Sequence, residues 1–340
     1  MLFKDFFAKK HNTSLTSHEI VADYFVNLAE RDVKKIGGFI LDDNGKKIKQ
    51  KHRHPALFSI DGIPAFKKAM HKYIVNEMVS SMLYNDIGVF TPKVASMINE
   101  NVSGAFLLSQ DVKELKKQGV ITEIALQTGV NKAFNNIPNE AYMWSPLYDD
   151  NLKETFLEFM TDECLEELTT MFLLDELRTD ADRHRCNFFL YKKKGSPKYE
   201  GVIPIDLEWN VAWASYKENY DWFKDFISHN YISNSFMQNT LPSISFSNRI
   251  NNIKNLIHDG KLTPSQIEKL KKALEFDMSK AITDLETTLF KCDGTVLPNL
   301  KGKDLHTHTG KLKHYFDKTY EVNSKLWEYN REQLGRELEL

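Results

Sequence analysis

Between positions 178 and 187 the chain reads Arg178-Thr179-Asp180-Ala181-Asp182-Arg183-His184-Arg185-Cys186-Asn187, a dense polar run between a strongly apolar helical stretch and an expected strand. Ile205-Asp206-Leu207-Glu208 closes the next expected strand. Asp182 and Asn187 stand five positions apart across a loop and Asp206 ends the paired strand, so the three can converge on one divalent ion and one reacting hydroxyl. Phosphoryl transfer requires such a set, because the protein's part in that reaction is positioning and charge neutralisation. Magnesium takes oxygen ligands, which Asn187 and Asp206 supply; Glu208 is either a further ligand or one half of a salt bridge. The plainer reading of these residues is a polar turn with an incidental strand-end carboxylate.

The elements that must position these residues are legible in outline. A helical stretch near Ser17 to Lys34 is followed by a strand over Ile36 to Leu41 and a hairpin turn at Asp42-Asp43-Asn44-Gly45. Asp61-Gly62 marks a second turn between short strands at 56–60 and 63–67, although Pro64 is unusual inside a sheet. Met70, Ile74, Met78 and Met82 recur every four residues, the stripe of an amphipathic helix that Gly88 and Pro92 end. Two more strands are expected over Lys93 to Ile98 and Gly104 to Leu108. Beyond Val112 the pattern is mainly helical: Lys113 to Gly119, Asn151 to Met160, and a buried helix over Thr161 to Arg178 with Asp162 and Glu163 at its positive end. Asn187 to Tyr191 and Gly201 to Ile205 form a strand hairpin within that helical part, and the C-terminal helices read as scaffold.

Asp182-Arg183-His184-x-x-Asn187 followed by Ile205-Asp206 resembles the signatures of atypical protein-kinase-like enzymes, the group that holds HipA-type kinases and phosphoinositide kinases. The spacing from Asp to Asn equals that of the ordinary kinase catalytic loop. The resemblance spans roughly residues 36 to 210 and implies an α+β, bilobal kinase-like fold. The implied boundaries are an N-lobe over 1–112 and a mainly helical C-lobe over 113–340. ATP and Mg2+ (or Mn2+) are the implied cofactors. By position, Asp182 would orient and deprotonate the acceptor hydroxyl, Asn187 and Asp206 would hold metal, and Arg183 and His184 would support the loop.

Ala65-Phe66-Lys67 similarly resembles the strand that presents a lysine to the nucleotide phosphates, and Glu77 on the following helix would pair with Lys67. Lys68 is the rival, but strand alternation puts Lys67 on the face shared with Ala65. Ser109, Gln110, Asp111 and Val112 would form the hinge against adenine. The chain departs from the pattern in lacking G-x-G-x-x-G, for which Gly37-Gly38 and Asp42 to Gly45 are weaker substitutes, and in carrying Leu207-Glu208 where Phe-Gly is usual.

Composition bounds the remaining readings. The 340 residues are 41% hydrophobic and 27% charged, enough apolar content for a sizeable core. Lys and Arg total 45 against 47 Asp and Glu, a net charge of -2 that argues against a nucleic-acid partner. Three cysteines without a C-x-x-C pair fit a reducing compartment, and no run approaches the roughly 18 apolar residues of a membrane span. A cytoplasmic protein follows, and delivery into a host cytosol would leave the same composition.

Lys46, Lys47, Lys49, Lys51 and Arg53 form a local basic cluster, read either as a lysine-protected hairpin edge or as a site for an anionic activator such as an inositol polyphosphate. The aromatic segment from Glu208 to Phe226 lacks the basic character needed to hold an anionic lipid headgroup, which favours a protein Ser or Thr as acceptor. An AMP transferase, a phosphoinositide kinase and an ATP-binding pseudokinase are the alternatives.

Overall fold

A five-stranded antiparallel sheet, in the order β1-β4-β5-β7-β6, is built from β1 (Val33–Gly37), β4 (Ala56–Ile60), β5 (Ile63–Ala69), β6 (Val94–Asn99) and β7 (Gly104–Gln110). A separate two-stranded ribbon pairs β2 (Ile40–Leu41) with β3 (Lys47–Ile48). The computed structural model describes residues 33–37, 40–41, 47–48, 56–60, 63–69, 73–92, 94–99, 104–110, 123–125, 145–183, 187–192, 195–232, 243–292 and 308–340. The strand residues 33–69, 95–110 and 123–125 are described by their backbone alone. Two compact units result, the first within 1–82, 92–120 and 280–317, the second within 83–91, 121–279 and 318–340.

The register explains how Pro64 is tolerated in the central strand of the first unit. Ile60 pairs with Ile63 across a two-residue turn, so the next pair, Ser59 and Pro64, needs no hydrogen bond on that side. The described pairing of β5 with β7 begins at Ala65, so Pro64 stands at its margin. Val33 and Lys34, expected at the end of a helix, instead pair with Ile60 and Ser59 in β1. Cross-strand pairing with Ala56–Ile60 overrides the local helical period there. The rest of the expected helix over 17–34, the turn at 42–45 and the helix over 113–119 lie outside the described residues.

Helix α1 (Ile74–Asp86) follows the periodic methionines, with Ile74, Met78 and Met82 all buried. Met70 lies outside the described residues. Its end is a Schellman motif: Val89 N–H donates to Tyr84 O at 2.8 Å and Gly88 N–H to Asn85 O at 3.2 Å. Gly88 sits in the left-handed region at φ +83°, where a side chain would be strained although nothing crowds it.

In the second unit, α2 (Asp150–Leu157) is capped by the Asp149 carboxylate, which accepts from the N–H groups of Asn151 and Leu152. α3 (Asp162–Leu177) is capped by Thr161 Oγ1 at 3.2 Å from Cys164 N. Asp162 and Glu163 occupy its first turn, as the sequence implies, and its apolar residues are buried on every side. The expected hairpin is β9 (Phe188–Lys192) with β10 (Gly201–Pro204), but β8 (Glu123–Ala125) adds a third strand beside β9. The part beyond Val112 is mainly helical as expected, and to the expected hairpin it adds this strand and the small pair β11 (Asn230–Ile232) and β12 (Ser243–Ser245). Three residues are too few for period two to stand out, so pairing alone reveals such strands. The Tyr191 ring lies where a Cβ at Gly201 would be, 2.2 Å from its nearest atoms, so any side chain at 201 would have to displace that ring.

Helices α4 (Val211–Ser215), α5 (Trp222–Ser228), α6 (Phe246–His258), α7 (Pro264–Glu275), α8 (Met278–Cys292) and α9 (His308–Leu334) complete the described chain. Most of the aromatic segment is core: Trp213, Trp222 and Phe226 are buried, and Phe226 lies within ring contact of Tyr231 and Phe246. α9 is tied back by Trp327 Nε1 donating to Ala273 O and Asn330 Nδ2 donating to Leu177 O. No helix among the described residues is long and apolar enough to cross a membrane.

Two measurements check these assignments by urea denaturation. Gly88→Ala is expected to cost about 1 kcal/mol, the strain of a left-handed residue without any clash. Leu168→Ala, which empties a fully buried position on α3, is expected to cost about 2–5 kcal/mol.

Candidate functional site

α3 delivers the polar run through a second Schellman motif. Asp180 N–H donates to Asp175 O at 2.8 Å and Thr179 N–H to Glu176 O at 3.1 Å, which places Thr179 where glycine is usual. Thr179 has φ +59°, and a β-branched residue is strained there. Its surroundings hold it: Thr179 Oγ1 donates to Asn210 Oδ1 at 2.8 Å and accepts from Ala212 N, while Thr179 O accepts from Val211 N at 3.0 Å. Asn210 in turn caps α4 through Trp213 N. The segment that follows Asp206 is thereby fixed to the end of α3.

Arg183, fully buried, joins three pieces of chain. Its Nε and Nη2 donate to the Asp175 carboxylate at 2.7 and 3.2 Å, and Nη1 donates to Ile205 O at 2.8 Å and to Asn187 O. Ile205 N also donates to Asn187 O at 3.0 Å, and Asn187 Nδ2 donates to Asp182 O at 2.8 Å. The backbone at Asp182, Asn187 and the residue before Asp206 is thus gathered by one guanidinium and one amide. The arrangement commits Asn187 Nδ2 to the loop and leaves Oδ1 as the acceptor end of that side chain. Asp206, half-buried at φ +58°, stands just past β10 in a conformation that Asp tolerates better than most residues. Asn187, Asp206 and Glu208 offer oxygen only, the donor type that fits a hard divalent cation.

Beneath the loop lies a charge-balanced cluster that the sequence reading passed over. Asp175 and Asp180 face Arg178 and Arg183, all buried, with Arg178 Nη1 3.6 Å from both carboxylates. Arg178 Nη2 donates to Leu207 O at 2.7 Å, so the second guanidinium holds the chain on the far side of Asp206. The Tyr84 hydroxyl donates to Asp175, and burial raises its pKa well above the ordinary value, keeping it a donor. Burial, then the neighbouring Asp175, pushes Asp180 up to about 7. Glu176 on the same helix receives two bonds from Arg249 at 2.9 and 3.0 Å, yet burial pushes it up to about 7. Asp175, Glu176 and Arg178 could have been noticed as charges inside an otherwise apolar helix.

The other expected site residues are distributed as follows. Lys67 lies within β5, opposite Ala56 and Leu108, and its side chain falls outside the described residues. Glu77 is buried in the first turn of α1. Ser109 and Gln110 end β7, paired with Phe66 and Ala65, whereas Asp111 and Val112 are outside the described residues, as is His184. Of the basic cluster, only the backbone of Lys47 is described, opposite Leu41; Lys46, Lys49, Lys51 and Arg53 are not.

A strand-rich unit, a second mostly helical unit and a hairpin that follows a buried helix make up an α+β, kinase-like fold. The structure of the Helicobacter pylori proinflammatory kinase CtkA is similar, with a TM-score of 0.52 at 13% identity, over 89% of this chain and 96% of that one. HipA of Shewanella oneidensis MR-1, solved with HipB and operator DNA, matches with a TM-score of 0.39 at 10% identity, over 97% of this chain and 82% of that one. No protein-family model and no curated protein matches the sequence.

Removing the central guanidinium is expected to be severe. Arg183→Ala leaves Asp175 buried without its nearest guanidinium and takes a donor from Ile205 O and Asn187 O, and should lower stability to urea by about 3–5 kcal/mol. Glu176 supplies a pH test. With its folded-state value raised, the folded chain holds a proton that the unfolded chain releases between the usual carboxylate range and about 7. Its contribution to stability is therefore greatest in acid and is lost as pH rises through 7. Glu176→Gln should reduce the change in urea midpoint between about pH 5 and pH 8.

Proposed function

We propose that the chain is an ATP- and magnesium-dependent kinase that transfers the γ-phosphoryl group to a protein Ser or Thr. The observation that supports this reading is the gathering of Asp182, Asn187 and the chain at Asp206 around the buried Arg183 guanidinium. Asp182 orients the acceptor hydroxyl and takes its proton, while Asn187 and Asp206 hold the metal, with Glu208 as a further oxygen donor. Magnesium, when bound, neutralises charge on the phosphates. Lys67 binds the nucleotide phosphates and pairs with Glu77, and Ser109 to Val112 meet the adenine. The likeness to a bacterial kinase called proinflammatory supports a bacterial effector setting.

Label transfer tests the reading. ATP carrying either an α- or a γ-phosphate label, with magnesium, is offered to a generic protein acceptor and to the chain itself. Wild type should transfer γ-label, and Asp182→Ala and Asp206→Ala should each reduce the rate by about 100-fold or more. Transfer of α-label would instead make the chain an AMP transferase. Failure of ATP with magnesium to raise the melting temperature, with no label moved, would overturn nucleotide binding altogether.

A further inference from the structure

We propose that Asp180 is a positioning residue for Asp182, its buried carboxylate holding the backbone from which the proton acceptor projects. The contact is direct: Asp182 N–H donates to Asp180 Oδ1 at 2.9 Å. Asp180 is itself fixed from both directions. Its own N–H closes the helix on Asp175 O, and its Oδ2 faces Arg178 Nη1 at 3.6 Å and Arg183 Nη2 at 3.8 Å. With 1% of its surface exposed, the carboxylate exchanges little with water. A lone surface Asp at a turn makes a similar bond weakly; here two buried guanidinium groups keep the carboxylate aligned while one oxygen serves Asp182.

The contact should also respond to protons. The charged and titratable groups facing Asp180 are Asp175 and Arg178 from α3 and Arg183 from the loop, with Tyr84 from α1 reaching Asp175. Burial and the Asp175 charge raise Asp180 to about 7, and the two arginines oppose them. Above that value Asp180 is ionised and accepts strongly. Below it a proton on Asp180 weakens the acceptor and leaves two guanidinium groups against one carboxylate, so the hold on Asp182 slackens.

The inference rests on the kinase reading of Asp182, and two readouts keep them separable. The first is the amide of Asp182 in the full chain, followed by NMR. Its 15N shift should titrate with a midpoint near 7 in wild type and stay flat in Asp180→Asn. Its hydrogen exchange should quicken about tenfold in Asp180→Ala, the loss of one charge-assisted bond. The second is γ-label transfer against pH. Wild-type kcat should fall on the acid side of about 7 with KM for ATP little changed.

Asp180→Ala should lower kcat about tenfold. Asp180→Asn, which keeps an acceptor oxygen, should retain more turnover and lose the acid limb. The proposal is overturned if the Asp182 amide ignores pH in wild type, or if it exchanges equally fast in wild type and Asp180→Ala. Label transfer with kcat unchanged in Asp180→Ala would overturn it too. A titrating amide in a wild type that moves no label would instead overturn the kinase reading, and with it the catalytic purpose of the contact.

Discussion

The second unit depends on the pairing of the Asp175 carboxylate with the Arg183 guanidinium in the absence of water. A guanidinium with no exposed surface is costly to bury unless its donors are served, and Asp175, Asn187 O and Ile205 O serve them. The requirement acts in reverse on the backbone. The loop after α3 and the end of β10 must both bring a carbonyl to one side chain, which fixes their separation. Hydrophobic burial of α3 and β10 brings these segments near each other without choosing a register between them; the guanidinium chooses it.

Strain is concentrated at the same place. Thr179 and Asp206 are two of the four described non-glycine residues at positive φ, and they mark where the chain enters and leaves the polar cluster. Glycine at 179 would adopt the conformation freely, but it would surrender the hydroxyl that bridges Asn210 and Ala212. A strained threonine with three external hydrogen bonds thus ties the end of α3 to the segment after Asp206. Gly88, which ends α1 with the same backbone motif and no side-chain role, shows the unstrained solution. The contrast separates a turn that only terminates a helix from one that also holds a site.

Much of the fold was legible because the signals are local. The methionine stripe, the Asp61-Gly62 hairpin, the buried helix with its acidic first turn and the hairpin around 192–198 each arise from residues within a few positions of one another. Val33 and Lys34 were misread as helical because their partners, Ile60 and Ser59, lie far along the chain. β8 was missed for the same reason, since a three-residue strand exists only by virtue of the neighbour it pairs with. The kinase-like fold that the resemblance implies is the fold this chain shares with CtkA.

At the site, the sequence by itself determined which groups are present and their order: a carboxylate and an amide five positions apart, then an aspartate just past the partner strand. Only the tertiary structure decided that Arg183 turns inward to bond Asn187 O and Ile205 O, that Asn187 spends its amide nitrogen on the loop, and that Asp175 and Asp180 face Arg178 and Arg183 beneath. Spacing along a chain fixes what can meet locally. Which distant charges must meet is settled by burial, because only the loss of water makes an unserved ion too costly to leave alone.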